Sequence, residues 1–288
     1  MFSHPSEMVL LGFFLALSLL ALARNRLPLP TPVSIYLPYL WTFFLTFTLG
    51  TLVSPRVGIW VLAILSFLAL REYFTLVDLR IQDRWGVLAA YLAVPFLYYY
   101  IHSDWYGMFV ISLPVYAFLV IPFAVALGGR EAQGSVFSVG VVQLGLFLLV
   151  YCIGHVAYLS VYTVWAAAFL VGGVALCDLS AYLFRARDRT PLRSLLLQVL
   201  APAPVVAGLG LALGPWSGVP WVHSVALGIL IPALVTTGCF TIDHLEEDLG
   251  IERSRLRPGR GEILNSLKSF LYTAPVVFHY LRYFLEAF

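Results

Sequence analysis

The stretch from Gly238 to Tyr283, GCFTIDHLEEDLGIERSRLRPGRGEILNSLKSFLYTAPVVFHYLRY, sets a dense charged loop between two apolar runs. From Asp243 to Glu252 it carries five carboxylates and no Lys or Arg; from Arg253 to Lys268 it carries five basic residues and one acid, Glu262. Arg257-Pro-Gly-Arg-Gly marks a turn. Leu245, Leu249 and Ile251 give the acidic half the spacing of a helix that continues the run before it or lies amphipathically at its end. Two halves of opposite sign can neutralise each other, yet an exposed ion pair contributes only about 0–1 kcal/mol. A self-paired structural loop and a surface that meets phosphate both fit these residues.

Outward from that loop, the chain is overwhelmingly apolar. Of its 288 residues 61% are hydrophobic and 11% charged, and the mean hydropathy is +0.90. Polar residues are too few to coat a soluble globule of 32 kDa. A spanning helix needs about 20 mostly apolar residues to cross roughly 30 Å of hydrocarbon. Ten runs approach this, at about 8–23, 34–54, 57–70, 86–101, 106–128, 136–154, 157–176, 196–214, 220–241 and 269–286. The expected fold is all-α, a polytopic integral membrane helical bundle of about ten transmembrane helices.

Basic residues in short loops stay on the cytoplasmic side. With the N-terminus outside, ten alternating spans place Arg24, Arg26, Arg71, Arg80, Arg84, Arg130, Arg185 to Arg193 and Arg253 to Lys268 inside, and only Arg56 and Arg282 of 17 basic residues fall elsewhere. Both termini are therefore expected outside, with the long charged loops cytoplasmic in a bacterial inner membrane. The first run has Glu7 before it and Arg24 and Arg26 after it, the charge order of a retained anchor. No internal repeat and no linker divides the chain, and its net charge of +2 gives no footprint for nucleic acid.

Individual polar residues then carry the question of function. Glu72, following an apolar run beside Arg71, is expected at the water interface, solvated or ion-paired. Asp178 is flanked by apolar residues in VALCDLSAYLF 174–184, so it either lines a polar cavity or is held neutral. Cys152, Cys177 and Cys239 show no metal spacing and read as small buried hydrophobes. His155, His223 and His279 fall on different spans without an i, i+4 partner and are expected to be packing histidines rather than a converging metal site. The aromatic groups Tyr98 to Tyr100, Trp105, Trp216 and Trp221 read as an interfacial belt.

Gly238, Gly250, Ser254, Pro258, Gly259, Gly261, Ile263, Leu264 and Ser269, followed by LYTAPVVF 271–278, resemble the C-terminal frame of the phosphatidate cytidylyltransferases, the CDP-diacylglycerol synthases. LSFLALREYFTL 65–76, DWYGMFVISLPVYAFL 104–119 and VYCIGH 150–155 resemble a bacterial branch of the same family. The resemblance covers residues 56–288, a domain with the cytoplasmic loop 242–268, and leaves 1–55 as two family-variable N-terminal helices. It implies CTP and phosphatidate as substrates and a divalent metal, Mg²⁺, that neutralises the phosphates so that two anions can meet.

Against that frame the charges are replaced. The resemblance puts Cys239 where the family has Asp, Glu246 and Glu247 for a Lys-Arg pair, Glu252 and Arg253 for Lys-Asp, Arg260 for His, and Asn265 to Lys268 for the closing Asp-Arg-x-Asp. Losing one transition-state charge contact costs on the order of 10²–10³ in rate, and several positions change together. No catalytic set is intact; Asp178 and Asp243 are the remaining candidates, and no metal ligands are assigned. The expectation is a pseudoenzyme of phospholipid metabolism with no cofactor, meeting anionic phospholipid through Arg253, Arg255, Arg257 and Arg260, alone, as a homodimer or with a phospholipid-synthesis enzyme. The alternatives are an active CDP-diacylglycerol synthase or related lipid-phosphate nucleotidyltransferase with a rebuilt, Mg²⁺-dependent site around Asp178 and the terminal loop, and a transporter.

Overall fold

The computed structural model describes residues 5–23, 31–128, 132–185, 191–251 and 262–285. These are helical almost throughout, with no strand among them. In chain order the helices are α1 (Pro5–Ala23), α2 (Thr31–Leu52), α3 (Pro55–Leu76), α4 (Arg84–His102), α5 (Tyr106–Gly128), α6 (Ser135–Tyr162), α7 (Val164–Arg185), α8 (Pro191–Leu200), α9 (Ala203–Ser217), α10 (Trp221–Asp248) and α11 (Glu262–Leu285). Seven are long and apolar enough to cross a membrane: α1, α3, α5, α6, α7, the α8–α9 pair from Arg193 to Ser217, and α10. The chain is an integral membrane protein of helices; the apolar run 157–176 is divided between the end of α6 and the start of α7.

Local chemistry explains why prolines and hydroxyls are tolerated inside these helices. Pro38, Pro95, Pro122, Pro232 and Pro275 each sit within a helix, which neighbours in an apolar bundle permit. Thr42, Thr46, Thr51, Thr236 and Thr273 each donate to the carbonyl one turn back, at 2.8–2.9 Å, so these five hydroxyls are paired within their own helices. α3 opens on Ser54, whose Oγ accepts from the Arg56 N–H at 3.3 Å, with Pro55 at the first helical position. α5 and α6 each contain a π-turn, at Ser112–Ala117 and Phe147–Tyr151.

Three sequence expectations shift. α6 runs to Tyr162 instead of ending near 154, because His155 is buried, bonds the Tyr151 carbonyl through Nδ1 at 2.8 Å and continues the helix; the break falls at extended Thr163. α3 does not stop at Arg71. Glu72 is buried rather than solvated, and its Oε2 accepts the Ile263 N–H at 3.1 Å, satisfying a free donor at the start of α11. Tyr98, placed in the aromatic belt by its neighbours, is fully buried and shares a 2.6 Å hydrogen bond with Ser66.

The two ends of the bundle differ. At the uncharged-loop end, Asp104 accepts from Tyr158 at 2.7 Å and Tyr162 at 3.3 Å. Arg282 donates to the Tyr162 hydroxyl at 2.9 Å and lies 3.7 Å over the Tyr106 ring, the stacking that lets a lone guanidinium sit among aromatics. His155 and His279, far apart in sequence, meet through Nε2 at 3.3 Å, with Tyr106 at 3.3 Å from His279 Nδ1. The packing reading of these histidines holds; their isolation does not. At the opposite end α7, α10 and α11 converge, helped by Gly238, where any Cβ would stand 3.0 Å from that of Tyr272.

Candidate functional site

α10 carries the charged loop's acidic half as a direct continuation of its apolar run, ending at Asp248. The stop is a Schellman turn: Gly250, at φ +70°, donates to the Glu247 carbonyl at 3.1 Å and Ile251 to that of Glu246 at 2.8 Å. Positive φ makes glycine the natural residue there.

Along α10, Val235, Thr236, Cys239, Phe240 and Asp243 recur at helical spacing and share one face. Cys177, Asp178, Ala181 and Tyr182 do the same on α7, and Asn265 and Lys268 on α11. Together with Tyr36 of α2 and Leu195 and Gln198 of α8, these faces enclose a cavity of about 570 Å³. Five positions singled out in the sequence, Asp178, Cys239, Asp243, Asn265 and Lys268, thus face one space.

Within it Asp178 is buried, and its Oδ1 accepts from Ser269 Oγ at 2.6 Å. Because that hydroxyl proton goes to Asp178, the contact of 3.4 Å between Cys239 Sγ and Ser269 Oγ is donated by the thiol. Asp178 Oδ2 makes no close hydrogen bond; the buried hydroxyl of Tyr39 interacts with the Asp178 carboxylate only loosely. An unmatched carboxylate oxygen in a buried site has capacity for a ligand proton or a cation. Lys268 Nζ donates to Asp243 Oδ1 at 3.1 Å, both side chains largely shielded from solvent.

A hard cation takes oxygen ligands, and Mg²⁺ commonly uses one or two carboxylates with substrate phosphates completing its shell. Asp178 and Asp243 are the residues here that fit that role. No group of three or more His, Cys, Asp and Glu side chains gathers as a metal site among the described residues, so phosphate oxygens and water would have to supply the remainder.

Other sequence candidates lie elsewhere. Glu246, buried, and Glu247 line a neighbouring depression of about 450 Å³ with His244 and Ile251; it shares Phe240 and Asp243 with the main cavity. Glu252, Arg253, Arg255, Arg257 and Arg260 lie outside the described residues. Tyr36, Tyr39, Gln198 and Thr236 belong to the site, though nothing marks them in the sequence. The usable signal was the i, i+3, i+7 recurrence of Thr236, Cys239 and Asp243 on α10.

The fold and site are those of an integral membrane protein with a polar cavity sunk among its helices. The chain belongs to the cytidylyltransferase family, whose sequence model matches residues 37–186. That stretch runs from α2 to the end of α7 and includes Asp178. The frame from Gly238 to Tyr283 lies beyond it. A protein of Escherichia coli (strain K12), "Uncharacterized protein YnbB", is 25% identical over 240 residues, 77% of this chain and 78% of its own length. No solved structure matches the chain.

Proposed function

We propose that this membrane cytidylyltransferase-family protein binds the phosphate headgroup of a membrane lipid in the cavity between α7, α10 and α11. The observation that carries the reading is the convergence of Asp178, Asp243, Asn265 and Lys268 on one space of about 570 Å³, with Lys268 as the cation for phosphate and Asn265, Gln198 and Tyr182 as uncharged partners. The helices span the membrane ten times with the charged end in the cytoplasm, a reading supported by the distribution of arginines between alternate loops.

The cavity's described ionisable side chains, two carboxylates and one ammonium, carry no net positive charge. Such a site does not on its own draw together a nucleoside triphosphate and a phosphatidate, which repel each other. With the replaced positions of the terminal loop, this favours binding without the family's CTP and phosphatidate reaction. One observation favours a second reading, a rebuilt transferase: Asp178 and Asp243 both face the cavity, and a Mg²⁺ ion held there would reverse its sign. The two separate in one assay. Purified protein in phosphatidylcholine nanodiscs with CTP, phosphatidate and Mg²⁺ is expected to form no CDP-lipid; sustained product, lost in Asp178→Asn, would overturn the binding-only reading and establish the transferase.

A further inference from the structure

Helix α1 leans on α2. The Phe13 and Phe44 rings lie 4.8 Å apart and those of Phe14 and Trp41 5.7 Å; Trp41 Nε1 donates to Ser18 Oγ at 2.9 Å, which in turn donates to the Phe14 carbonyl at 2.8 Å. On its other side α1 does not close onto α7 and α9. The gap is an apolar groove of about 500 Å³, walled by Phe13 and Leu17 of α1, Phe44 of α2, and Leu213 of α9. Ala168, Gly172 and Ala175, successive small residues on one face of α7, make the room.

This groove is not isolated from the polar cavity. Tyr36 lines both. On α7, Leu176 and Leu179 line the groove while Cys177 and Asp178 line the cavity, so the surface passes from apolar to polar within one helical turn. A polar pocket adjoining an apolar trough has the form of a lipid, headgroup to tail.

We propose that the groove holds an acyl chain of the lipid whose phosphate sits in the polar cavity, with α1 as the outer wall that sets which chains fit. The proposal rests on the headgroup reading above. Residues of α1 lie outside the family-matched stretch, so this wall is a feature the family match does not supply. Bilayer tails are as apolar as the groove, and association there relies on packing rather than on escape from water. The groove therefore contributes selectivity between chains more than affinity, on the order of tenfold, the low end of what a fitted apolar pocket achieves.

The test uses the full chain in phosphatidylcholine nanodiscs with phosphatidate bearing a photoreactive diazirine near the end of a sixteen-carbon tail, adducts being mapped by mass spectrometry. Expected are adducts on α1 and α7 that unlabelled phosphatidate competes away and phosphatidylcholine of the same chains does not. Ala175→Phe, which fills the groove, should weaken long-chain phosphatidate roughly tenfold and leave dioctanoyl phosphatidate bound, a result misfolding cannot give. Groove adducts competed equally by phosphatidylcholine would mean ordinary bilayer lipid and overturn the proposal, as would crosslinks between two copies through this face. Phosphatidate binding that needs Lys268 but leaves no groove adduct overturns the acyl proposal alone. Absence of any phosphate-dependent binding removes the headgroup reading and the proposal with it.

Discussion

Asp83 and Asp178 are both buried carboxylates near the charged end of the bundle, and they are held in opposite ways. Asp83, in the turn between α3 and α4, receives Nη2 of Arg80 on Oδ1 at 2.7 Å, and on Oδ2 the Arg80 backbone N–H at 3.0 Å, Arg80 Nε at 3.1 Å and Ser138 Oγ at 2.5 Å. Arg80 also reaches the Gln133 carbonyl and, at 3.2 Å, Ser135 Oγ, so the cluster ties the α3–α4 turn to the start of α6. Asp178 receives one close bond, from Ser269, and its other oxygen has no close donor, only a looser interaction with the Tyr39 hydroxyl. Saturation of every acceptor is what a structural clamp looks like; unmatched capacity beside a cavity is what a ligand site looks like.

The largest effect that would break the comparison is expected on the clamp. Arg80→Ala leaves a buried carboxylate with Ser138 as its one remaining side-chain donor from this cluster. Removing one partner of a buried pair costs about 3–5 kcal/mol, and the lower end applies because the Arg80 side chain is 28% exposed. Burial pushes the Asp83 carboxyl up, but the hydrogen bonds from Arg80 and Ser138 outweigh it and hold the group below the usual carboxylate range. A depressed folded value stabilises the fold above the unfolded value of about 3.9 and loses that contribution as pH falls through the folded value. Thermal unfolding in detergent should therefore show the wild type losing stability on acidification below about pH 4, with a shallower acid limb in Arg80→Ala. An unchanged acid limb would remove Asp83 from the clamp.

Second in size is Ser269→Ala, which takes from Asp178 its one close hydrogen bond. A buried polar group left unsatisfied costs about 1–3 kcal/mol, so the melting point should fall, by less than in Arg80→Ala. Ligand should recover part of that loss by linkage: phosphatidate is expected to raise the variant's melting point more than the wild type's if the freed carboxylate turns toward the cavity. Equal shifts would show that Ser269 supports the fold without shaping the site.

How far these features could be read in advance follows the range of the interactions involved. Apolar runs corresponded to helices because hydropathy is local to each run, and the acidic half of the loop was legible as a helix as far as Asp248, while Leu249 and Ile251 belong to the turn that ends it. The end of α6 was misplaced because His155 looks like a break in an apolar run. Its Nδ1 partner is the carbonyl of Tyr151, which hydropathy does not register. Asp178, Asp243, Cys239, Asn265 and Lys268 stood out singly as charges in apolar surroundings or as positions in a family frame. Their meeting place, and the part of Tyr36, Tyr39, Gln198 and Thr236 in it, depends on how α2, α7, α8, α10 and α11 pack, and no spacing along the chain encodes that.

The smallest effect on stability separates the two functional readings most sharply. Asp178→Asn keeps an oxygen for Ser269 Oγ and places an amide where Oδ2 had no close partner, so the melting point should move by less than about 1 kcal/mol in equivalent stability. Its effect on binding depends on what offsets the phosphate charge. If Lys268 alone meets the headgroup, removing a nearby negative charge frees more of its field, and phosphatidate should bind as well or better without metal. Lys268→Ala should then weaken binding roughly tenfold or more, since a hydrogen bond to a charged group contributes about 1.5–3 kcal/mol. If a divalent cation held by Asp178 and Asp243 meets it, Asp178→Asn should weaken phosphatidate binding, and chelation should do the same to the wild type. Titration of phosphatidate into both proteins, with and without Mg²⁺, decides between them, because Asp178→Asn holds or raises affinity under the first arrangement and lowers it under the second.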